Sequence, residues 1–148
     1  MKNETFDSAL RSTWNLVSKM YNKEASKFDS TMATGFALLS IDSEGTPSTT
    51  LGPKMGMEPT SLSRLLNTME ERNMIYRSQN PDDGRSILIH LTAFGKEKRD
   101  DSKAVVLHFN KVVEKSLGPE KISAFYEVMN CIKEHAKSFE HFTPTFKI

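Results

Sequence analysis

One stretch of alternating apolar and polar residues restricts the folds open to this chain more than any other feature. Residues 75–78 and 87–91 alternate with a period of two, and the segment 80–84 between them ends in an Asp-Gly pair. An Asp-Gly pair between two such runs is a strong signal for a β-hairpin. The alternation occurs only once, so the sequence predicts a mainly α-helical protein with one small hairpin.

Helical periodicity covers the chain on both sides of the hairpin, where apolar residues recur three or four positions apart. Caps and breakers then divide this pattern into separate helices. We predict a helix over residues 5–28 and a second helix capped by Asp29 or Ser30. A short kinked helix capped by Thr46 follows and ends in a turn around Gly56. Three more helices run from Pro59 to about Asn73, from Thr92 to Leu117, and onward from Gly118 and Pro119.

The order short helix, helix, hairpin over residues 46–92 is that of a helix-turn-helix followed by a two-stranded wing. In this arrangement the N-terminal residues of the second helix lie against base edges in the major groove. Hydroxyl groups and an arginine at that position can bond to bases or phosphates. These candidate DNA-binding residues are Thr60, Ser61, Ser63 and Arg64. Taken alone, they are also explained as a solvated helix face.

The wing adds a second group of candidate DNA contacts. Arg85 lies at the hairpin tip beside Asp83, and Arg77 lies on the opposite strand. A tip arginine can enter the minor groove, where the negative potential is strong, and a neighbouring carboxylate would hold it in place. An ordinary surface ion pair is the alternative. The position of the hairpin directly after the helix-turn-helix favours the DNA interpretation for Arg85.

Residues 65–75 and the wing that follows resemble the MarR family, the multiple antibiotic resistance regulators. The matching motifs are an Asp-x-Arg at residues 83–85 and a Leu-Thr-x-x-Gly at residues 91–95. The resemblance extends from about residue 5 to residue 137. The pair Gly52-Pro53 departs from the family pattern, because a helix of leucine and alanine type is more usual before the recognition helix.

This resemblance implies a single domain, residues 1–148, that forms a homodimer. Residues 1–45 and 93–148 would supply the dimerisation helices and residues 46–92 the DNA-binding lobe. It implies a DNA-binding transcriptional regulator, chiefly a repressor of a near-palindromic operator, relieved by a small aromatic or lipophilic effector. The family's DNA contacts map onto Ser61, Ser63, Arg64 and Arg85, with Asp83 orienting the arginine. The implied effector pocket would involve Trp14, Met20, Met32, Phe36 and Leu39.

Dimerisation is also expected from the excess of apolar residues on the terminal helices, because obligate interfaces resemble a core cut in half. The residues that suggest it are Tyr21, Phe28, Val106, Phe109, Phe125, Phe139 and Phe142. We expect a cytoplasmic protein, since no apolar run could span a bilayer, the N-terminus lacks a signal-peptide core, and the one cysteine, Cys131, cannot form an internal disulfide. Cys131 is more simply a small buried filler than a redox sensor.

Catalysis and metal binding have little support in the sequence. His90, His108, His135 and His141 form no zinc-type pair, and there is neither a glycine-rich phosphate loop nor a nucleophile elbow. We therefore expect no enzyme and no cofactor. A winged-helix module that binds proteins, an activator of the same fold and a small-molecule carrier remain alternatives.

The net charge of +1 first suggests that the chain does not bind nucleic acid. Residues 53–99, however, hold 8 basic and 6 acidic side chains, so the positive excess falls on the segment that contains the helix and wing. A near-neutral protein can thus bind DNA through a few placed residues, with weak non-specific affinity.

Overall fold

Helices make up most of the chain, and one small sheet interrupts them. The computed structural model describes residues 4–140, so Phe142 and His141 lie outside the described residues. The elements in chain order are α1 (Phe6–Ser26), α2 (Met32–Ser40), β1 (Thr46–Pro47), α3 (Ser48–Met55), α4 (Pro59–Glu71), β2 (Ile75–Gln79), β3 (Ile87–Leu91), α5 (Ala93–Lys115) and α6 (Pro119–Lys137). This confirms a mainly α-helical winged helix with a small β wing.

The chain separates into two units, residues 1–107 and 108–148, and the boundary falls inside α5. The first unit contains α1 to α4 and the whole sheet, and the second contains the end of α5 and all of α6. The assignment of the terminal helices to dimerisation and of residues 46–92 to DNA binding stays a prediction.

Threonine side chains cap three of the helices. Thr5 accepts a hydrogen bond from the Ser8 N–H (3.4 Å) at α1. Thr92 accepts one from the Gly95 N–H (2.9 Å) at α5, which confirms the predicted cap. The cap predicted for α2 is wrong. Thr31, not Asp29 or Ser30, accepts the hydrogen bond from the Thr34 N–H (3.2 Å).

The prediction that Thr46 caps α3 is also wrong. Residues 46–47 form the edge strand β1, which pairs antiparallel with β3 and places Thr46 opposite Ile89. The Thr46 hydroxyl accepts from the Asp42 N–H (2.9 Å) and donates to the Asp42 carboxylate (3.3 Å), so it closes the preceding loop instead of a helix end. A proline fits at position 47 because an edge strand does not need every N–H in the ladder.

The sheet has three antiparallel strands in the order β1, β3, β2. The predicted hairpin is confirmed, with Ile75 opposite Leu91 and Gln79 opposite Ile87. The sheet and helices α2, α3 and α4 enclose one apolar core. Its buried residues are Ala37, Leu38, Ile41, Leu51, Leu62, Leu66, Met69, Met74, Ile75, Ile89 and Leu91.

The end of α4 and the start of α5 pack closely around one carbonyl group. The Met74 carbonyl accepts hydrogen bonds from the Thr92 N–H (3.0 Å) and hydroxyl (3.1 Å). A Cβ atom at Gly95 would lie only 1.9 Å from the same oxygen. Glycine is therefore required at position 95 for the helix to approach the backbone this closely.

Many large apolar side chains of the second unit are exposed. All of α6 lies among the described residues, and none of its residues is buried. Phe125 is 55% exposed, and Cys131 is exposed, so the expectation that Cys131 is a buried filler is wrong for the single chain. Tyr21 in α1 is buried within the first unit, so the prediction that it remains for a partner is also wrong. Among residues 4–140 no helix is both long enough and apolar enough to cross a membrane.

Candidate nucleic-acid interface

Helix α4 presents two chemically different faces, as the sequence predicted. Leu62, Leu66 and Met69 are buried in the core of the first unit, and Leu65 is half-buried. The opposite face is in solvent. Its exposed residues are Thr60, Ser61, Ser63, Arg64, Asn67, Thr68 and Glu71. The four side chains predicted to read bases therefore lie together on the exposed N-terminal half of α4.

The turn between α3 and α4 explains the unusual Gly52-Pro53 pair. Gly52 is buried, and a Cβ at this position would lie 3.3 Å from the Met57 carbonyl and 3.4 Å from the Leu62 side chain. Gly56 then ends α3 in the left-handed conformation, with φ of 64°. The absence of a side chain at position 52 lets the chain turn back directly onto α3, and the predicted turn at Gly56 is confirmed.

The N-terminus of α4 is left without a side-chain cap. Glu58 occupies the cap position and makes no side-chain hydrogen bond there, and Pro59 is the first helical residue. Uncapped N–H groups at a helix N-terminus favour an anion such as a phosphate. The adjacent open groove between α3 and α4 is lined in part by Ser48, Thr49 and Ser63.

Ser48 and Thr49 are candidate phosphate contacts that the sequence reasoning missed. They lie on the first turn of α3 and line the same groove as Ser63. The run of three hydroxyl residues at positions 48–50 was the available signal. It was overlooked because Thr46 and Pro47 were assigned to the start of the helix, whereas they form a strand.

Arg64 is an exposed cation on the reading face. Within residues 4–140 its guanidinium makes no ion pair and no hydrogen bond, although its carbonyl accepts one from the Thr68 hydroxyl (3.1 Å). An arginine that is not engaged in its own chain retains all its donors for an external acceptor.

The wing tip is built by hydrogen bonds from short polar side chains. The Asn80 amide donates to the Ser86 hydroxyl (2.8 Å), and Asp83 accepts from the Arg85 N–H (3.0 Å). The prediction that Asp83 holds the Arg85 guanidinium is therefore corrected, because the carboxylate bonds to the backbone of Arg85. In the described part of the chain the Arg85 side chain has no ion-pair partner, and it is exposed.

Arg77 has a different environment from Arg64 and Arg85. From β2 its guanidinium forms an ion pair with Glu70 and donates to the Asn67 side chain (2.9 Å), both on α4. Its side chain is only 27% exposed. Arg77 thus joins the wing to α4, and its predicted contact with DNA would need this arrangement to open or to leave one donor free.

An open cavity lies within the first unit at α1, α2 and the first half of α5. Met32, Phe36 and Leu39 line it as predicted, but Trp14 and Met20 do not. Trp14 instead stacks on Phe36, with 6.3 Å between ring centroids. Trp14 is therefore a neighbour of the cavity, not part of its wall.

Helix α5 supplies cavity residues that the sequence did not identify. Asp101, Ser102 and Val105 line the wall opposite α2. The Ser102 hydroxyl would lie 3.2 Å from a Cβ at Gly35, so the small residue keeps the two helices close. The α5 pattern gave no signal for this, because the fold decides which turn of the helix passes α2.

Titratable side chains do not form a metal site in the part of the chain that the structure describes. No group of three or more His, Cys, Asp or Glu residues is placed to hold an ion there.

Comparison with known proteins agrees with this geometry. The MarR family model matches residues 31–87, which cover α2 through the start of β3. That segment is similar to the MarR family. The Bacillus subtilis regulator YdgJ, an uncharacterised HTH-type transcriptional regulator, is 24% identical to this chain over 90 residues. The match covers 61% of this chain but only 55%, about half, of YdgJ.

Two solved structures show that the MarR resemblance in fold extends beyond the matched segment. The S. aureus MepR–DNA complex is 17% identical, with a TM-score of 0.80 over 88% of this chain and 97% of that one. CouR from Rhodococcus jostii RHA1, bound to p-coumaroyl-CoA, is 21% identical, with a TM-score of 0.77 over 95% of this chain and 96% of that one. The chain therefore has the same fold as these two proteins.

Proposed function

We propose that this protein is a sequence-specific DNA-binding repressor that binds a near-palindromic operator as a homodimer. The observation that carries the proposal is the exposed N-terminal half of α4, where short hydroxyl residues surround Arg64, a cation without a partner among residues 4–140. The comparison with the MepR–DNA complex supports it, because that protein has the same fold and binds DNA.

Base reading is assigned to the first two turns of α4. Thr60, Ser61 and Ser63 offer short donors and acceptors, and Arg64 can bond to two acceptors of a guanine. The uncapped helix N-terminus and the hydroxyls of Ser48 and Thr49 would hold the phosphate groups beside the groove. These contacts would fix the register in which Arg64 meets a base edge.

Minor-groove binding is assigned to Arg85 at the wing tip. The hydrogen bond that the Arg85 N–H donates to the Asp83 carboxylate fixes the loop from which the guanidinium projects. A narrow minor groove attracts an inserted arginine through its negative potential. Arg77 would support the interface indirectly, because its bonds to Glu70 and Asn67 hold the wing against α4.

A second copy of the chain is the proposed partner for the exposed apolar side chains of α6 and the end of α5. Large apolar side chains in solvent favour an interaction site. Those of the second unit are Val112, Val113, Leu117, Phe125, Tyr126, Val128 and Phe139. A homodimer would cover these residues and present two reading helices to the two halves of a palindrome.

Effector control is assigned to the cavity in the first unit. Aromatic and aliphatic side chains dominate its wall, including Met32, Phe36 and Leu39, and no Lys, Arg or His is among its lining residues. Such a wall favours an aromatic or lipophilic group. CouR has the same fold and binds a CoA ester with an aromatic acyl group. An effector bound here would relieve repression in the cytoplasm.

Selection of DNA from a random pool, followed by titration of the selected duplex and a scrambled duplex, tests this function. We expect a strong preference for the selected duplex and a steep loss of affinity with added salt, because each phosphate contact releases counterions. Equal and weak binding to both duplexes would refute the proposal and favour a protein-interaction module. A reporter with the selected site at its promoter distinguishes repression from activation.

A further inference from the structure

The C-terminal end of α4 is tied to a distant corner of the fold by one arginine. Arg72, which caps α4, donates to the Asp29 carbonyl (2.5 Å) and lies 3.4 Å from the Asp29 carboxylate. The two residues are 43 positions apart in the chain. Together with the ion pair between Arg77 and Glu70, this contact fixes the half of α4 that faces away from the proposed reading residues.

Asp29 belongs to a tight segment between α1 and α2, residues 27–31, here named the α1–α2 corner. Asp29 has a positive φ of 52°, which is unusual for a residue other than glycine. The Ser30 N–H donates back to the Ala25 carbonyl (3.0 Å), so the chain reverses within a few residues. This left-handed conformation sets the direction of the Asp29 carbonyl that receives Arg72.

The same corner forms part of the cavity wall. Phe28, Ser30 and Thr31 line the cavity, while Asp29 between them contacts Arg72. A molecule that moves Phe28 or Thr31 must therefore act on the backbone that also carries the carbonyl bonded to α4. The cavity and the reading helix thus share one short segment of chain.

The energetics indicate a positioning contact more than a stabilising one. The Asp29 carboxylate is wholly exposed and the Arg72 side chain is 36% exposed, so their ion pair adds little to stability. The bond to the carbonyl is charge-assisted and directional. Its main consequence is a fixed position for the C-terminal end of α4.

We propose that the α1–α2 corner couples the cavity to the reading helix through Arg72, so that a change at the cavity wall alters the position of α4 and its affinity for DNA. This inference rests on the proposed function, because it assumes that α4 reads DNA. Coupling of this kind is reciprocal, so DNA binding must also act on the corner.

Hydrogen–deuterium exchange of the full-length protein, with and without the selected duplex, tests the coupling without a known effector. We expect the duplex to slow amide exchange in both α4 and the corner of the wild-type protein. In Arg72→Gln we expect slowed exchange in α4 only. Operator affinity should fall about tenfold with an unchanged salt dependence, because Arg72 contacts no phosphate. Arg11→Gln, which removes an exposed ion pair in α1, is the matched control and should behave like the wild type.

A second pair of variants keeps the proposal falsifiable if Arg72→Gln does not fold. Asp29→Gly tolerates the left-handed conformation and keeps the carbonyl, so its corner should still respond to DNA. Asp29→Val resists that conformation and should lose the response. The coupling is refuted, while DNA binding stands, if the duplex slows amide exchange in the α1–α2 corner equally in the wild type and in all variants. It is also refuted if the duplex slows exchange there in none of these proteins. If the protein binds no DNA, the proposed function itself fails.

Discussion

Helix α4 of the first unit and helix α6 both carry an amphipathic pattern, but only α4 buries apolar residues. In α4 the apolar stripe is buried, with Leu66 and Met69 at 3% and 1% exposure. In α6 the residues Phe125, Tyr126 and Val128 are all more than 40% exposed. The difference teaches that periodicity identifies the face of a helix that must be covered, but not the chain that covers it.

The difference also separates what stabilises the lobe from what assembles the protein. The sheet and helices α2, α3 and α4 share one core and need no partner to bury it. In the second unit none of the α6 residues is buried in the single chain, as the proposed interface requires. Variants in the two regions should accordingly change different measurable properties.

Gly95 in the first turn of α5 and Gly118 at the N-cap of α6 provide the sharpest contrast and the largest expected effect. Gly95→Ala would place its Cβ 1.9 Å from the Met74 carbonyl, so we expect a loss of about 3 kcal/mol in the free energy of unfolding. At Gly118 nothing lies within 4 Å of the corresponding Cβ, and Gly118→Ala should cost less than about 1 kcal/mol. Chemical denaturation of both variants measures this. Equal losses would show that the close packing at Met74 does not determine the free energy of unfolding.

A charge on α6 should change assembly and leave the lobe folded. Phe125 is 55% exposed, and we expect Phe125→Glu to weaken self-association by about 2 kcal/mol or more, since a buried aromatic anchor often dominates an interface. Ile87 on the wing is 44% exposed, and Ile87→Glu is the matched control with no expected effect on mass. Sedimentation equilibrium measures both. An unchanged dimer in Phe125→Glu would remove α6 from the interface.

Within the lobe, Arg64 and Arg85 should matter for DNA and not for stability. We expect Arg85→Ala to weaken operator binding by about 1–3 kcal/mol while the unfolding transition stays in place. Arg85→Lys keeps the charge and should recover only part of the loss, because the planar guanidinium is missing. Fluorescence anisotropy with a labelled duplex measures these affinities. Full affinity in Arg85→Ala would exclude the wing from binding.

The smallest effect is expected at the turn before α4. In Gly52→Ala the added Cβ would meet the Met57 carbonyl at 3.3 Å, a close contact that a shift of a few tenths of an ångström relieves. We expect a stability loss of about 1 kcal/mol and a weaker preference for the operator over scrambled DNA, because the shift tilts α4. Thr50→Ala on the exposed side of α3 is the control. A stable variant with unchanged preference would show that the turn tolerates this side chain.

The sequence predicted the fold well wherever a pattern was local. The hairpin followed from an Asp-Gly pair between alternating runs, and α4 followed from Pro59 and the stripe of Leu62, Leu66 and Met69. The errors lie where a tertiary contact determines the secondary structure. Thr46 and Pro47 resembled a helix start, but pairing with β3 makes them a strand.

The candidate site was predictable in its residues but not in their partners. Ser61, Ser63 and Arg64 are exposed on α4 as expected, because a helix face is fixed by spacing. The bonds of Arg77 to α4 and of Asp83 to a backbone N–H depend on which groups the folded chain brings together. Which residues of α5 line the cavity also depends on packing, and the sequence of residues 101–105 does not indicate it.

The most direct test of DNA reading by α4 compares the wild type with Arg64→Ala on the selected and scrambled duplexes at two salt concentrations. We expect Arg64→Ala to lose about 1–3 kcal/mol of affinity for the selected duplex and little for the scrambled one. The preference for the selected duplex should then shrink at both salt concentrations. An equal loss on both duplexes would make Arg64 a phosphate contact. Unchanged binding to both would contradict the assignment of α4 as the reading helix.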